Sequence, residues 1–251
     1  MKIGKITKKI TAMIMVFAML LGTSGILGMK VTANASDNPV KMYYCDQVVS
    51  WRGSSQYIVY IQVNASSAAN KSVYVHYNAG SNEWKDETAT YVTKLDNNTE
   101  IWKATVSGFG ITGDYAIKYV GDGHTYWDNN NGNNYSSYDI LGQANVIVDR
   151  LSYQSAQNYT INAVVKNLTY NKIIKVRYTQ DNWATYQDAA LSYSSPYYNT
   201  DYETWSVTLN LDENKMDSFQ YCVSYEVNGQ TYWDNNFGAN YNRNHYLPLG
   251  S

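Results

Sequence analysis

The stretch Tyr126-Trp127-Asp128-Asn129-Asn130-Asn131-Gly132-Asn133-Asn134-Tyr135 returns later as Tyr232-Trp233-Asp234-Asn235-Asn236-Phe237-Gly238-Ala239-Asn240-Tyr241. The match extends outward. Asp122-Gly123 answers Asn228-Gly229, and Tyr115, Ile117 and Tyr119 answer Tyr221, Val223 and Tyr225. Trp102 answers Trp205, Trp84 answers Trp183, and Lys71 through Tyr77 answers Lys172 through Tyr178. Chance does not keep such an order over so long a stretch, so the chain repeats one unit twice. The boundary falls near Leu141 to Asn145.

Each unit reads as strands. Residues 115–120 alternate, with Tyr115, Ile117 and Tyr119 on one face and Ala116, Lys118 and Val120 on the other. Asp122-Gly123 and Asn228-Gly229 are two-residue hairpin signals, because a type I′ turn needs positive φ at both positions. Further β-rich runs lie at Ile161 to Val165 and Ile173 to Tyr178, and no helical period follows the N-terminal segment. The fold class expected is all-β, two tandem β-sandwich modules at 37–142 and 146–248.

The start is read as a leader. Lys2, Lys5, Lys8 and Lys9 precede an apolar stretch from Ile10 to Met29, and Ala33-Asn34-Ala35 is a small-x-small cleavage pattern. The apolar run approaches spanning length, but Gly22, Thr23, Ser24, Gly25 and Gly28 weaken an anchor reading. Residues 1–35 are therefore expected to be a signal peptide, and the protein secreted or extracellular, with cell-surface association open.

A formal net charge of −2 gives no electrostatic case for nucleic acid or an anionic membrane. Against 26 Tyr and 7 Trp stand only 4 Phe. Tyr and Trp suit surfaces that are half apolar and half wet, and Tyr also forms strands well; both readings hold together. Cys45 and Cys222 fall at non-equivalent places in the two repeats, which favours free, partly buried thiols. With three His and no Cys/His cluster, no metal and no cofactor is expected.

The repeated loop has the composition of a sugar site. A Trp ring offers a platform to the C–H face of a pyranose, and Asn amides match its hydroxyls. Asn also forms turns without any ligand, and a Trp can simply fill a core. Calcium is disfavoured, because the spacing lacks alternate acidic ligands and a terminal Glu. Asp128 and Asp234 recur, but each stands without an evident carboxylate partner, so glycoside hydrolysis is not expected.

Val165-Lys166-Asn167-Leu168-Thr169-Tyr170-Asn171-Lys172, Val176-Arg177-Tyr178, Asp181-Asn182-Trp183 and Tyr225 through Asn236 together resemble carbohydrate-binding module family 21. That family includes starch-binding domains of fungal glucoamylases and glycogen-targeting subunits of eukaryotic protein phosphatase. The resemblance implies an immunoglobulin-like sandwich and binding of α-1,4-linked glucans. It implies a main platform of Trp84 with Trp127 in repeat one and Trp183 with Trp233 in repeat two. Asn129, Asn130 and Asn134, or Asn235, Asn236 and Asn240, flank these platforms. Fungal members add a strand tyrosine where this sequence has Ala116 and Cys222. A second site is implied at Tyr170, Lys172, Tyr193 and Tyr202; repeat one keeps Lys71 and Tyr91 but has Ala69 and Thr99. The expected function is non-catalytic binding of starch, glycogen or malto-oligosaccharide, with other secreted or surface amylolytic proteins as candidate partners. The alternative is a scaffold or targeting subunit that recruits an enzyme to the glucan.

Overall fold

Among the described residues, eight strands lie in the first half of the chain: β1 (Val40–Val49), β2 (Ser55–Asn64), β3 (Lys71–Asn78), β4 (Trp84–Thr88), β5 (Thr90–Leu95), β6 (Thr99–Ser107), β7 (Tyr115–Gly121) and β8 (His124–Asp128). They form two antiparallel sheets, ordered β1-β2-β6-β5 and β4-β3-β7-β8. In the second half come β9 (Val146–Asp149), β10 (Asn158–Lys166), β11 (Lys172–Thr179), β12 (Gln187–Ala190), β13 (Ser192–Pro196), β14 (Tyr202–Asn210), β15 (Gln220–Val227), β16 (Gln230–Asp234) and β17 (Tyr241–Asn242). Their sheets run β9-β10-β14-β13 and β12-β11-β15-β16, with β17 added beside β15. The strand order of the second pair of sheets repeats that of the first.

The computed structural model describes residues 38–49, 55–80, 83–107, 114–149 and 158–246. The leader expected at 1–35, residue 37 and the last residues of the 146–248 span lie outside them. The described residues all fall within one compact unit.

Alternation builds the cores. Tyr115, Ile117 and Tyr119 on β7 are fully buried, as are Tyr221, Val223 and Tyr225 on β15. Tyrosine works here as a core residue because its hydroxyl finds a partner at the edge of the sandwich. Tyr119 Oη lies 2.7 Å from Ser67 Oγ, and Tyr225 Oη donates to the Lys166 carbonyl at 2.8 Å. Both two-residue hairpins have positive φ throughout: 49° and 78° at Asp122 and Gly123, 51° and 74° at Asn228 and Gly229. Cys45 and Cys222 are free and buried, and burial chiefly pushes the Cys222 thiol up to about 11.

The two halves pack on each other. After the first Asn-rich loop the chain runs back along β1, where Gln143 and Ala144 donate their N–H groups to the Met42 and Tyr43 carbonyls. It then continues into β9. Phe237, in the second loop, packs against Tyr43, Tyr44 and Tyr60, with ring centroids 5.8, 5.9 and 5.2 Å away. Val164 and Tyr197 of the second half are buried in the same cluster as the first half's core.

Candidate functional site

On the sheet β4-β3-β7-β8, cross-strand register sets the side chains in rows. His76 pairs with Asp86 on one side and Ala116 on the other, while Lys118 pairs with Trp127. The His76 ring stacks on Trp84 at 4.8 Å and 15°, and meets Trp127 edge-on at 5.2 Å and 74°. Both Trp rings are exposed. Asp86 sits beneath as an anchor, 2.6 Å from His76 Nδ1 and 2.6 Å from Lys118 Nζ. Partial burial works to raise its pKa, but the Lys118 and His76 hydrogen bonds outweigh this and hold it below the usual carboxylate range. Lys118 Nζ also lies over the Trp127 ring at 5.8 Å.

The second half builds the same row with different residues. Arg177 pairs with Asp188 as His76 pairs with Asp86. Its guanidinium grips Asp188 through two bonds of 2.8 and 2.9 Å, and lies 4.2 Å from the Tyr186 ring and 5.5 Å from Trp233. Counted from the Asp86 and Asp188 positions, Tyr186 stands where Trp84 stands. The sequence match of Trp84 to Trp183 fails because the connection 180–186 is longer than 79–83.

Trp183, expected as an exposed platform beside Trp233, is half-buried in the β11–β12 turn, and its indole N–H donates to Gln220 Oε1 at 2.9 Å. Around it, Asp181 accepts from the hydroxyls of Thr179 and Thr185 and from the Thr185 N–H. His76, Asp86, Lys118, Arg177, Tyr186 and Asp188 were missed by the sequence reading. The signal was available: an Asp two places after an exposed aromatic, opposite a basic residue on the neighbouring strand.

Four of the loop Asn amides hydrogen-bond within their own loops. Asn129 and Asn235 accept the Gly132 and Gly238 N–H groups with their side-chain oxygens, at 3.1 and 3.0 Å. Asn130 and Asn236 donate their Nδ2 to the carbonyls of Asn134 and Asn240, at 3.0 and 3.1 Å. Residues 130 to 132 have φ of 51°, 58° and 95°, residues 236 to 238 have 51°, 55° and 93°, and Asn134 and Asn240 have 58° and 57°. Asn is dense here because it tolerates this left-handed backbone.

Asp128 and Asp234 are buried ties. Asp128 Oδ2 accepts from the Met42 N–H at 2.7 Å and from Tyr135 Oη at 2.8 Å. Asp234 accepts from the Val148 N–H at 2.6 Å and from Tyr241 Oη at 2.7 Å. Burial and then the facing Asp128 push the Tyr135 hydroxyl far above its usual range.

At the implied second site, Tyr170 is 95% exposed and Tyr193 stands exposed, edge-on to Trp205 at 5.9 Å. Lys172 is tied to Glu203 at 2.7 Å, and Glu203 also accepts from the Trp205 indole at 3.0 Å. Tyr202 is half-buried and donates to the Leu141 carbonyl at 3.3 Å, so it serves the contact between the halves instead of an open surface. The first half repeats the arrangement with Lys71, Glu100, Trp102 and exposed Tyr91. Exposed rings held rigidly beside charged hydrogen-bonding groups can stack on the apolar face of a ring ligand while its rim is hydrogen-bonded.

Residues 140–244 match the carbohydrate/starch-binding module, family 21. The chain is 42% identical over 81 residues to protein phosphatase 1 regulatory subunit 3B of Homo sapiens, covering 31% of this chain and 28% of that protein. It is 34% identical over 109 residues to glucoamylase 1 of Rhizopus oryzae, covering 42% of this chain and 17% of that protein. It is also similar to the solved starch-binding domain of Rhizopus oryzae glucoamylase in complex with β-cyclodextrin and maltoheptaose. There the identity is 30%, the TM-score 0.33, and the match covers 40% of this chain and 92% of the other.

Proposed function

Starting from one family 21 carbohydrate/starch-binding module at residues 140–244, we propose that the whole protein is a secreted, non-catalytic binder of α-1,4-linked glucans. In this reading 37–142 and 146–248 are two immunoglobulin-like copies of that module, and 1–35 is a cleaved leader. The observation that carries it is the repeated row: Trp84, His76 and Trp127 in one half, Tyr186, Arg177 and Trp233 in the other, each with its middle side chain hydrogen-bonded to a carboxylate. Each row is shallow and binds weakly alone. Two on one chain raise the effective concentration at the second site, so avidity on a polymer exceeds either affinity. Asp128 and Asp234 support the non-catalytic part, since both are buried and bonded within the fold.

Insoluble starch should retain the protein while cellulose does not. Trp127→Ala should weaken retention, Trp127→Ala with Trp233→Ala should nearly abolish it, and Tyr186→Ala should cost more affinity than Trp183→Ala. Unchanged starch binding by a folded double variant would put the site elsewhere. A second reading is that the glucan-bound chain brings an enzyme to the polymer. Its support is the similarity to protein phosphatase 1 regulatory subunit 3B, of which 28% is spanned. An enzyme that co-sediments with glucan only when this protein is present would favour it.

A further inference from the structure

We propose that Tyr138 and Tyr198 form a third glucan platform, one that exists only because the two halves pack together. Tyr138 lies in the turn after the first Asn-rich loop, and Tyr198 in the turn between β13 and β14. Their rings come together at 4.9 Å and 52°, yet they remain 51% and 58% exposed. They border an open cavity of about 400 Å³ whose remaining lining is Ser136, Asp139, Asn199 and Thr200. That is room for a pyranose unit, with hydroxyl, amide and carboxyl groups around two aromatic rings.

The rings are held, not loose. Asp139 accepts from both the N–H and the hydroxyl of Ser136 at 2.7 Å, which fixes the turn bearing Tyr138. The Thr200 hydroxyl donates to the Tyr197 carbonyl at 2.6 Å, and the buried Tyr197 ring meets Tyr198 edge-on at 4.8 Å. Tyr198 itself has a φ of 50°, a conformation unfavourable for a bulky residue that persists only where its surroundings impose it.

Neither ring is inherited from the repeat. Counting from Tyr135 and Tyr241, the position of Tyr138 is Asn244 in the second half. Counting from Glu100 opposite Lys94 and Glu203 opposite Pro196, the position of Tyr198 is Asp96 in the first. An aromatic pair therefore stands where each half's counterpart is polar, and it stands only at the junction.

This proposal rests on glucan binding by the chain, and its test separates the two. Maltoheptaose and amylose are titrated against the full chain, with calorimetry for affinity and proton resonances of the tyrosine rings as a site-specific readout. Tyr138→Ala with Tyr198→Ala should lower amylose affinity about tenfold, by the size of aromatic stacking contributions. Tyr138→Phe with Tyr198→Phe should keep most of it. Maltoheptaose should shift the Tyr138 and Tyr198 resonances in the wild type and in the Trp127→Ala, Trp233→Ala protein alike. Tyr138 and Tyr198 resonances that stay still while the wild type binds would overturn the platform alone, whatever the alanine pair does to folding. So would a folded alanine pair with wild-type affinity. A wild-type protein that binds no glucan would overturn both readings.

Discussion

Asp234 binds a backbone N–H 86 residues away in sequence and a tyrosine hydroxyl 7 residues away, and Asp128 repeats both bonds at the same separations. The sequence told that these carboxylates recur and stand without a catalytic partner. It could not tell that they tie the hairpin loop to the first strand of the opposite sheet, because that partner is brought near only by the whole sandwich. Hydrogen bonds to a charged group contribute about 1.5–3 kcal/mol, and an unsatisfied buried donor costs about as much. Asp234→Asn should therefore lower the unfolding free energy by about 2–3 kcal/mol in urea titration, with glucan affinity per folded molecule nearly unchanged. A loss below about 0.5 kcal/mol would mean that the two donors find equal partners elsewhere.

The turn between β11 and β12 shows where element-level reading from sequence succeeds and where it fails. Strand positions were legible from alternation at Tyr115 to Val120, from the β-rich run at Ile173 to Tyr178, and both hairpins from Asp-Gly and Asn-Gly. The pairing of Trp84 with Trp183 was not, since loop length, and not residue identity, decides which aromatic reaches the edge strand. Asp181 organises this turn. Hydrogen bonds from the Thr179 and Thr185 side chains, then the Thr185 N–H, lower its pKa to about 2. A carboxyl group lowered in the folded state stabilises fully above the ordinary value near 4 and loses that contribution as pH falls through about 2. Carboxyl resonances should give Asp181 a midpoint near 2, with exchange protection of the Trp183 indole N–H falling over the same range. A midpoint near the ordinary value, about 4, would show that the turn is not held this way.

At the scale of the molecule, Phe237 is one of the residues that hold the halves together. Phe237 has a φ of 55°, where the equivalent first-half residue is Asn131 at 58°. An aromatic in that conformation is unfavourable, and its ring is held among Tyr43, Tyr44 and Tyr60. Phe237→Asn relieves the backbone but removes the ring, for a net loss of about 2 kcal/mol by burial of an aromatic side chain. Scanning calorimetry should then resolve two transitions where the parent shows one; a single transition at the parent temperature would show that the ring contributes little. The strand order that recurs in the two halves has a counterpart in the matching sequence segments, but this junction has none, because it depends on a position where the halves differ.

The receiving surface is equally unsymmetrical. Tyr44 pairs with Tyr60 across β1 and β2, beyond a bulge at Tyr43 that follows the Met42–Ile61 pair, whereas the pair that follows Val148–Ala163 across β9 and β10 is Asp149 with Asn162. Among the described residues there is thus one plug and one socket of this kind, and the two fill each other. A head-to-tail contact between unlike surfaces would otherwise extend from molecule to molecule into a filament. Here that contact between unlike surfaces is made within one polypeptide.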